Sequence, residues 1–188
     1  MNPTTCIKLA MFDLDGTLFD TFRANYLAYR EACGAEFPFD EAFFAAHCMS
    51  RSYTDFLPDC GVPADRIEEI HEKKKACYAH YTAEIRPNRS LFALAELMRQ
   101  SGTVLAIVTT ANRRNVLELL DAFGYTDLFT LFVTQEDVTA HKPAPDCYLR
   151  AMELAGVQPS DCVVFEDSEI GVEAGISAGA DVYRIERF

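Results

Sequence analysis

Two aspartates, Asp13 and Asp15, stand one residue apart at the end of an apolar run, "LAMFDLDGT", with Gly16 and Thr17 directly behind them. Carboxylates at the tip of a buried strand are costly to desolvate unless a positive group sits with them. Other chemically active groups follow later apolar runs: Thr109 and Thr110 after "TVLAIV", Lys142 in "HKPAPD", and Glu166-Asp167 after "CVVF". In an open parallel sheet, ligands gather at the carboxyl ends of the strands. Elements that bring these groups to one sheet edge would assemble carboxylates, a hydroxyl and an ammonium. That set suits phosphoryl transfer. A carboxylate can attack phosphorus and form an aspartyl-phosphate, and a second acid can protonate the leaving alcohol and then deprotonate water. Hard oxygen ligands can hold Mg²⁺, while a hydroxyl and an ammonium fix the phosphoryl oxygens and offset their charge. The positive partner of the strand-end aspartates is then a metal, reinforced by Lys142.

The elements that must position these groups are legible as patterns. Residues 7–12, 103–109, 131–134, 162–167 and 181–185 read as strands, the second without polar alternation, as in a sheet covered on both faces. Leu91, Leu94, Ala95 and Met98 recur at helical spacing, as do Val116, Leu119, Leu120 and Phe123. Cys147, Ala151 and Leu154 mark a third helix before Gly156. Strands alternating with helices predict parallel βαβ units in an α/β fold. Residues 20–85 lack such strands and hold 11 of the 22 aromatics (14 Phe and 8 Tyr). There, Phe22, Tyr26, Tyr29 and Cys33 share one helical face, and Ile67, Ile70, Lys74, Cys77, Tyr78 and Tyr81 share a longer one. The chain is expected to divide into a core, 1–19 with 86–188, and a helical insert, 20–85. In the charged run "EEIHEKKK", a solvated helix face is expected, with His71 and His80 in water.

Composition narrows the partners. A formal charge of −12 leaves no basic stripe for nucleic acid or an anionic membrane, and a phosphate ligand must be drawn by local positive groups. No apolar run approaches membrane-spanning length, and the N-terminus lacks the basic start and cleavage site of a secretory signal. The seven cysteines, at 6, 33, 48, 60, 77, 147 and 162, form no CxxC pair. They fit thiols packed as small apolar groups in a reducing, cytoplasmic setting.

The stretches "DLDGT", "IVTTAN", "HKPAPD" and "VVFEDSEIGVEAGISAG" resemble, in order and over nearly the whole chain, the four motifs of the haloacid dehalogenase superfamily. The resemblance is to its helical-cap branch of phosphoglycolate-phosphatase-like and β-phosphoglucomutase-like proteins. It implies a three-layer Rossmann-like core with an inserted helical cap that opens and closes over the substrate. It makes Asp13 the nucleophile. Asp15 becomes the general acid/base, with its carbonyl on Mg²⁺. Thr109 and Lys142 match the phosphate-binding groups, with Thr110 and Asn112 as further contacts. Asp13, Asp15, Glu166 and Asp167 form the metal site, with Glu166 ligating either directly or through water. Gly16 and Thr17 match the tight turn after the nucleophile. Gly171, Gly175 and Gly179 read as packing and turn positions.

Arg51 in the insert is a candidate clamp for a substrate phosphate or carboxylate, and His47 a weaker candidate to face the site. Dehalogenases proper lack the second aspartate, so Asp15 favours phosphate esters. The expected function is Mg²⁺-dependent hydrolysis of a small phosphorylated metabolite. The alternatives are a sugar-phosphate mutase and a phosphometabolite-binding protein without turnover. The chain stops at Phe188, soon after the last expected strand. This leaves a sheet edge open to pairing with a second copy, so a monomer or a homodimer is expected.

Overall fold

Aromatic side chains at helical spacing build the insert. Helix α1 (Phe22–Cys33) buries Tyr26, Tyr29 and Cys33 along one face, and α2 (Glu41–His47) is started by Asp40, whose carboxylate accepts from the Phe43 N–H at 2.7 Å. After α3 (Tyr53–Phe56) comes α4 (Ile67–Cys77), which buries Ile70 and Cys77. Tyr26, Tyr29, Phe44, Phe56, Leu57 and Ile70 meet in one core. The computed structural model describes residues 7–48, 51–186 and 188, so Cys6 lies outside it. Thr21–Arg86 forms one compact unit, and the chain up to Asp20 together with Pro87–Phe188 forms the other.

The long face expected through Tyr81 breaks after Cys77, where the backbone tightens into a 3₁₀ stretch, Tyr78–Glu84. Side chains three apart eclipse in that geometry. Tyr78 and Tyr81 therefore align, the first under the Lys74 ammonium (4.4 Å to the ring centroid) and the second donating to Glu31 at 2.6 Å.

His71 is not in water, contrary to expectation. Its ring stacks on Tyr53 (centroids 3.6 Å apart, planes at 6°), and its Nδ1 lies 3.1 Å from the Tyr29 hydroxyl. Burial, then Lys75 and Lys74, push its pKa down to about 4, against the opposing pull of Glu68 and Glu72. The folded protein thus holds His71 neutral while the unfolded chain protonates it near the ordinary value. Stability contributed by His71 is present above about pH 6.5 and is lost as pH falls toward about 4. Since His71 is only half buried, the loss is about 1–2 kcal/mol after allowing for solvent screening. Urea unfolding at pH 7 and pH 5 checks this: His71→Gln is expected to shrink the difference between the two midpoints.

In the other unit, five strands lie parallel: β1 (Leu9–Phe12), β2 (Val104–Val108), β3 (Leu131–Val133), β4 (Cys162–Glu166) and β5 (Asp181–Arg184). Their spatial order is β3-β2-β1-β4-β5. Phe12 is in register with Ile107 on one side and Phe165 on the other. The connecting helices are α5 (Arg89–Gln100), α6 (Arg113–Phe123), α7 (Asp146–Ala155) and α8 (Glu169–Ser177). This is the expected Rossmann-like α/β fold. Alternate residues face opposite layers. Leu9 and Met11 pack with Tyr148, Ala151 and Met152 of α7, while Phe12 stacks on Phe165 at 4.6 Å and meets Phe129 edge-on. Two helix faces differ from expectation. Phe92, which stacks on Tyr125 at 3.6 Å, takes the buried place assigned to Leu94, and Leu154 is exposed. Helix α8 carries too little apolar periodicity to be read from the sequence: Ala174 and two glycines make its buried face. Cys33, Cys48, Cys77, Cys147 and Cys162 are buried free thiols, and Cys60 is half-buried. No helix among the described residues is long and apolar enough to cross a membrane.

The chain winds outward from β1 through β2 to β3, then crosses back to β4 on the other side of β1. The sheet therefore reverses its winding at β1. In open α/β sheets, that is where a crevice forms beyond the strand ends.

Candidate active site

Asp13 is the first residue after β1, held by its N–H on the Phe165 carbonyl at 3.0 Å, and it is 7% exposed. Lys142 arrives from the loop before α7 and is also buried. Its Nζ donates to Asp13 Oδ1 at 2.7 Å, to Glu166 Oε1 at 2.8 Å and to the Val108 carbonyl at 3.1 Å. One ammonium thus joins the ends of β1, β2 and β4, three neighbours in the sheet.

Glu166, the last residue of β4, has both oxygens engaged. Oε1 faces Lys142, and Oε2 accepts from the Ser168 N–H at 2.7 Å and from its hydroxyl at 3.0 Å. The Ser168 hydroxyl also caps α8 by accepting from the Gly171 N–H. A Cβ at Gly171 would lie 1.6 Å from Glu166 Oε1. Asp167 accepts from the Thr17 hydroxyl at 3.2 Å and rests over Gly16, where a Cβ would lie 2.3 Å from Asp167 Oδ2. Gly16 also has φ +92°, a backbone conformation that side chains disfavour.

Asp13, Glu166 and Asp167 each offer a carboxylate oxygen within 4.8 Å of the others. With one ammonium among three carboxylates, the formal excess is two negative charges. Burial, then Glu166 and Asp167, raise the Asp13 carboxyl well above the usual range, although Lys142 pulls the other way. For Lys142, burial acts to lower the pKa, but Asp13, Tyr148 and Glu166 outweigh it and keep the ammonium charged. A divalent cation fits this donor set: hard oxygens only, and a charge deficit of matching size.

The remaining candidates sit as follows. Asp15 is exposed in the turn that Gly16 closes by donating to the Phe19 carbonyl at 2.7 Å. Buried Thr109 follows β2, and its hydroxyl accepts from the Ala111 N–H at 3.1 Å. Thr110 is exposed next to it. Asn112 caps α6, its side-chain oxygen accepting from the Asn115 N–H at 2.8 Å. Arg51 lies in the helical unit, where its guanidinium donates to Asp59 and to the His47 and Asp55 carbonyls. His47 is exposed there beside Phe43.

Three residues do more here than the sequence reading gives them: Thr17 reads as part of a tight turn, Gly171 as a packing or turn glycine, and Ser168 is given no role. Ser168 had a local signal, being a cap residue directly after an apolar strand. For Thr17 and Gly171 the sequence carried no sign of their partners, Asp167 and Glu166, which are brought to them by contacts across the fold. Gly171→Ala is expected to push the Glu166 carboxylate off Lys142. The variant should lose about 2–4 kcal/mol of stability and fall about 100-fold in turnover, read by urea unfolding and steady-state kinetics.

With this geometry in hand, similarity to known proteins becomes interpretable. Residues 10–185 match the family model of haloacid dehalogenase-like hydrolases. The chain is 30% identical to the phosphorylated carbohydrates phosphatase of Thermotoga maritima, over 93% of this chain and 83% of that protein. It is 28% identical to the β-phosphoglucomutase of Bacillus subtilis, over 92% and 82%. The crystal structure of CbbY from Rhodobacter sphaeroides in complex with phosphate superposes with a TM-score of 0.84 at 26% identity, covering 97% of this chain and 87% of that one. The chain belongs to the haloacid dehalogenase-like hydrolases, in the subclass with phosphatases and β-phosphoglucomutases. It is an enzyme of the phosphoric monoester hydrolase class.

Proposed function

We propose that this protein is a Mg²⁺-dependent phosphatase that cleaves a small phosphorylated metabolite, of the sugar-phosphate kind, through an aspartyl-phosphate on Asp13. The carrying observation is the meeting of Asp13, Lys142, Glu166 and Asp167 at adjacent strand ends where the sheet reverses its winding. Asp13, Asp167 and the Asp15 carbonyl would hold Mg²⁺, with Glu166 behind them, its oxygens engaged by Lys142 and Ser168. When bound, the ion would supply positive charge that offsets the buried carboxylates and the anionic ester.

Asp13 presents its second oxygen to phosphorus, while Lys142 fixes the first and opposes the charge that builds in the transition state. The phosphorus–oxygen bond to the alcohol breaks as the bond to Asp13 forms. Asp15, exposed beside the site, gives its proton to the departing alkoxide and then takes one from water, which releases phosphate and restores Asp13. The Thr109 hydroxyl and the Thr110 and Asn112 groups at the end of β2 receive the phosphoryl oxygens.

The test is release of phosphate from para-nitrophenyl phosphate. Turnover is expected with Mg²⁺, absent after treatment with EDTA, and restored when Mg²⁺ is returned in excess. Metal-loaded protein that binds phosphate yet releases none from any ester in a metabolite panel would point to binding without turnover. Glucose 6-phosphate formed from β-glucose 1-phosphate, without phosphate release, would point to the mutase.

A further inference from the structure

An ammonium has three protons to give and no lone pair to accept with. Lys142 spends all three, on Asp13 Oδ1, Glu166 Oε1 and the Val108 carbonyl. Under it lies Tyr148 of α7, with Nζ over the ring at 5.1 Å from the centroid. Tyr148 is 0% exposed, and its hydroxyl is the buried side-chain polar atom that lacks a hydrogen-bond partner among the described residues. Lys142 is near enough to oppose the rise that burial gives the Tyr148 hydroxyl, but its three protons lie on closer acceptors and it has no lone pair to offer, so no hydrogen bond of ordinary geometry joins the two. The contact that the geometry resolves between Tyr148 and Lys142 is the one with the ring.

We propose that Tyr148 is the positioning residue of Lys142: the face of its ring holds the ammonium at the ends of β1, β2 and β4, in the orientation the phosphate site uses. The inference rests on the reading of Lys142 as part of that site. A lysine side chain is a point charge on a flexible four-carbon stem, and Asp13 and Glu166 compete for it. A ring face attracts a cation most where water is excluded, and both partners here are buried. The ring thus adds a fixed contact from the helix layer to three contacts from the sheet. Such a contact is already made before the ester binds. Its loss therefore falls on the step in which charge develops, and acts on kcat more than on KM.

The test replaces Tyr148 with phenylalanine, then with phenylalanines carrying one, two and three ring fluorines, which keep the shape and weaken the negative face. With Mg²⁺ and para-nitrophenyl phosphate, kcat is expected to fall stepwise, about tenfold by the trifluorinated ring, with KM within about twofold. In metal-free protein, the urea midpoint is expected to fall in the same order. Tyr148→Phe should restore the turnover that Tyr148→Leu loses. It should also unfold at a higher urea concentration than the wild type, having shed the orphaned hydroxyl. A series flat in both kcat and urea midpoint overturns the proposal, whether or not Tyr148→Leu folds. Lys142→Met separates this from a failure of the site: full turnover there would sink the site itself, whereas an inactive Lys142→Met beside a flat fluorine series sinks only the role of Tyr148.

Discussion

Asp13→Asn is expected to lower phosphate release by at least about 10³–10⁴-fold while leaving the folded protein as stable as before or more so. The amide matches the carboxylate in shape, and its oxygen can still accept from Lys142, 2.7 Å away in the native protein. It is, however, a poor nucleophile, so no aspartyl-phosphate forms. The stability side follows from the charge balance. Asp13 is buried beside Glu166 and Asp167, and burial is the main influence that raises its pKa. Replacing it with a neutral isostere removes one of three mutually repelling carboxylates and leaves Lys142 paired with Glu166 at 2.8 Å. The net change in metal-free protein is within about 1 kcal/mol of zero, or favourable. Stabilisation by Mg²⁺ should shrink in the variant, because one ligand has lost its charge. Steady-state kinetics, with urea unfolding in the presence and absence of Mg²⁺, checks all three points. Turnover near the native level would remove Asp13 from the role of nucleophile.

The sequence revealed most where one residue type had one reason to be in its place. Apolar and β-branched runs located the five parallel strands to within about two residues; β1 and β4, buried along their whole length, had few other compositions open to them, whereas β5 is mostly exposed and left only a short run. Asp13, Glu166 and Asp167 could be singled out because a charged residue at the end of an apolar strand is costly and needs a cause, whereas Lys142, in a loop, was singled out by the stretch "HKPAPD" and by the need of those carboxylates for a positive partner. Groups that depend on distant contacts were not legible. Gly171 reads as a packing glycine, and only the fold places the Glu166 carboxylate where its Cβ would be. His71 reads as a solvated member of a charged run, and only the approach of Tyr53 and Tyr29 buries its ring. Helix α8 was missed because an amphipathic stripe is a pattern of large residues, and Gly171, Ala174 and Gly175 let the helix lie close to the sheet instead. The direct-or-through-water alternatives for Glu166 could not be separated by spacing. They turn on the contacts of its two oxygens, with Lys142 and Ser168, which no spacing in the sequence shows.

Lys142→Met should have the largest effect on stability. The native side chain is 3% exposed and, among the described residues, carries the ammonium that pairs with the carboxylates of Asp13 and Glu166. Methionine fills similar volume but donates nothing. Asp13 Oδ1, Glu166 Oε1 and the Val108 carbonyl each lose a donor at 3.1 Å or less, and the buried charges of Asp13 and Glu166 stand uncompensated. Breaking one side of a buried ion pair costs about 3–5 kcal/mol, which for a chain of this size lowers the thermal midpoint by about 10 °C. Turnover should fall by at least about 10³-fold, since the charge that opposes the transition state is gone.

Two further measurements separate the electrostatic cause from lost packing. Mg²⁺ should stabilise Lys142→Met more than it stabilises the wild type, because the ion then meets carboxylates with no competing cation. The double variant Lys142→Met/Glu166→Gln should be more stable than Lys142→Met alone, because the second change removes an uncompensated buried charge without changing shape. Packing loss alone predicts simple additivity, with the double variant no better than the single one. That result would mean that Lys142 holds the strand ends together by volume, not by charge.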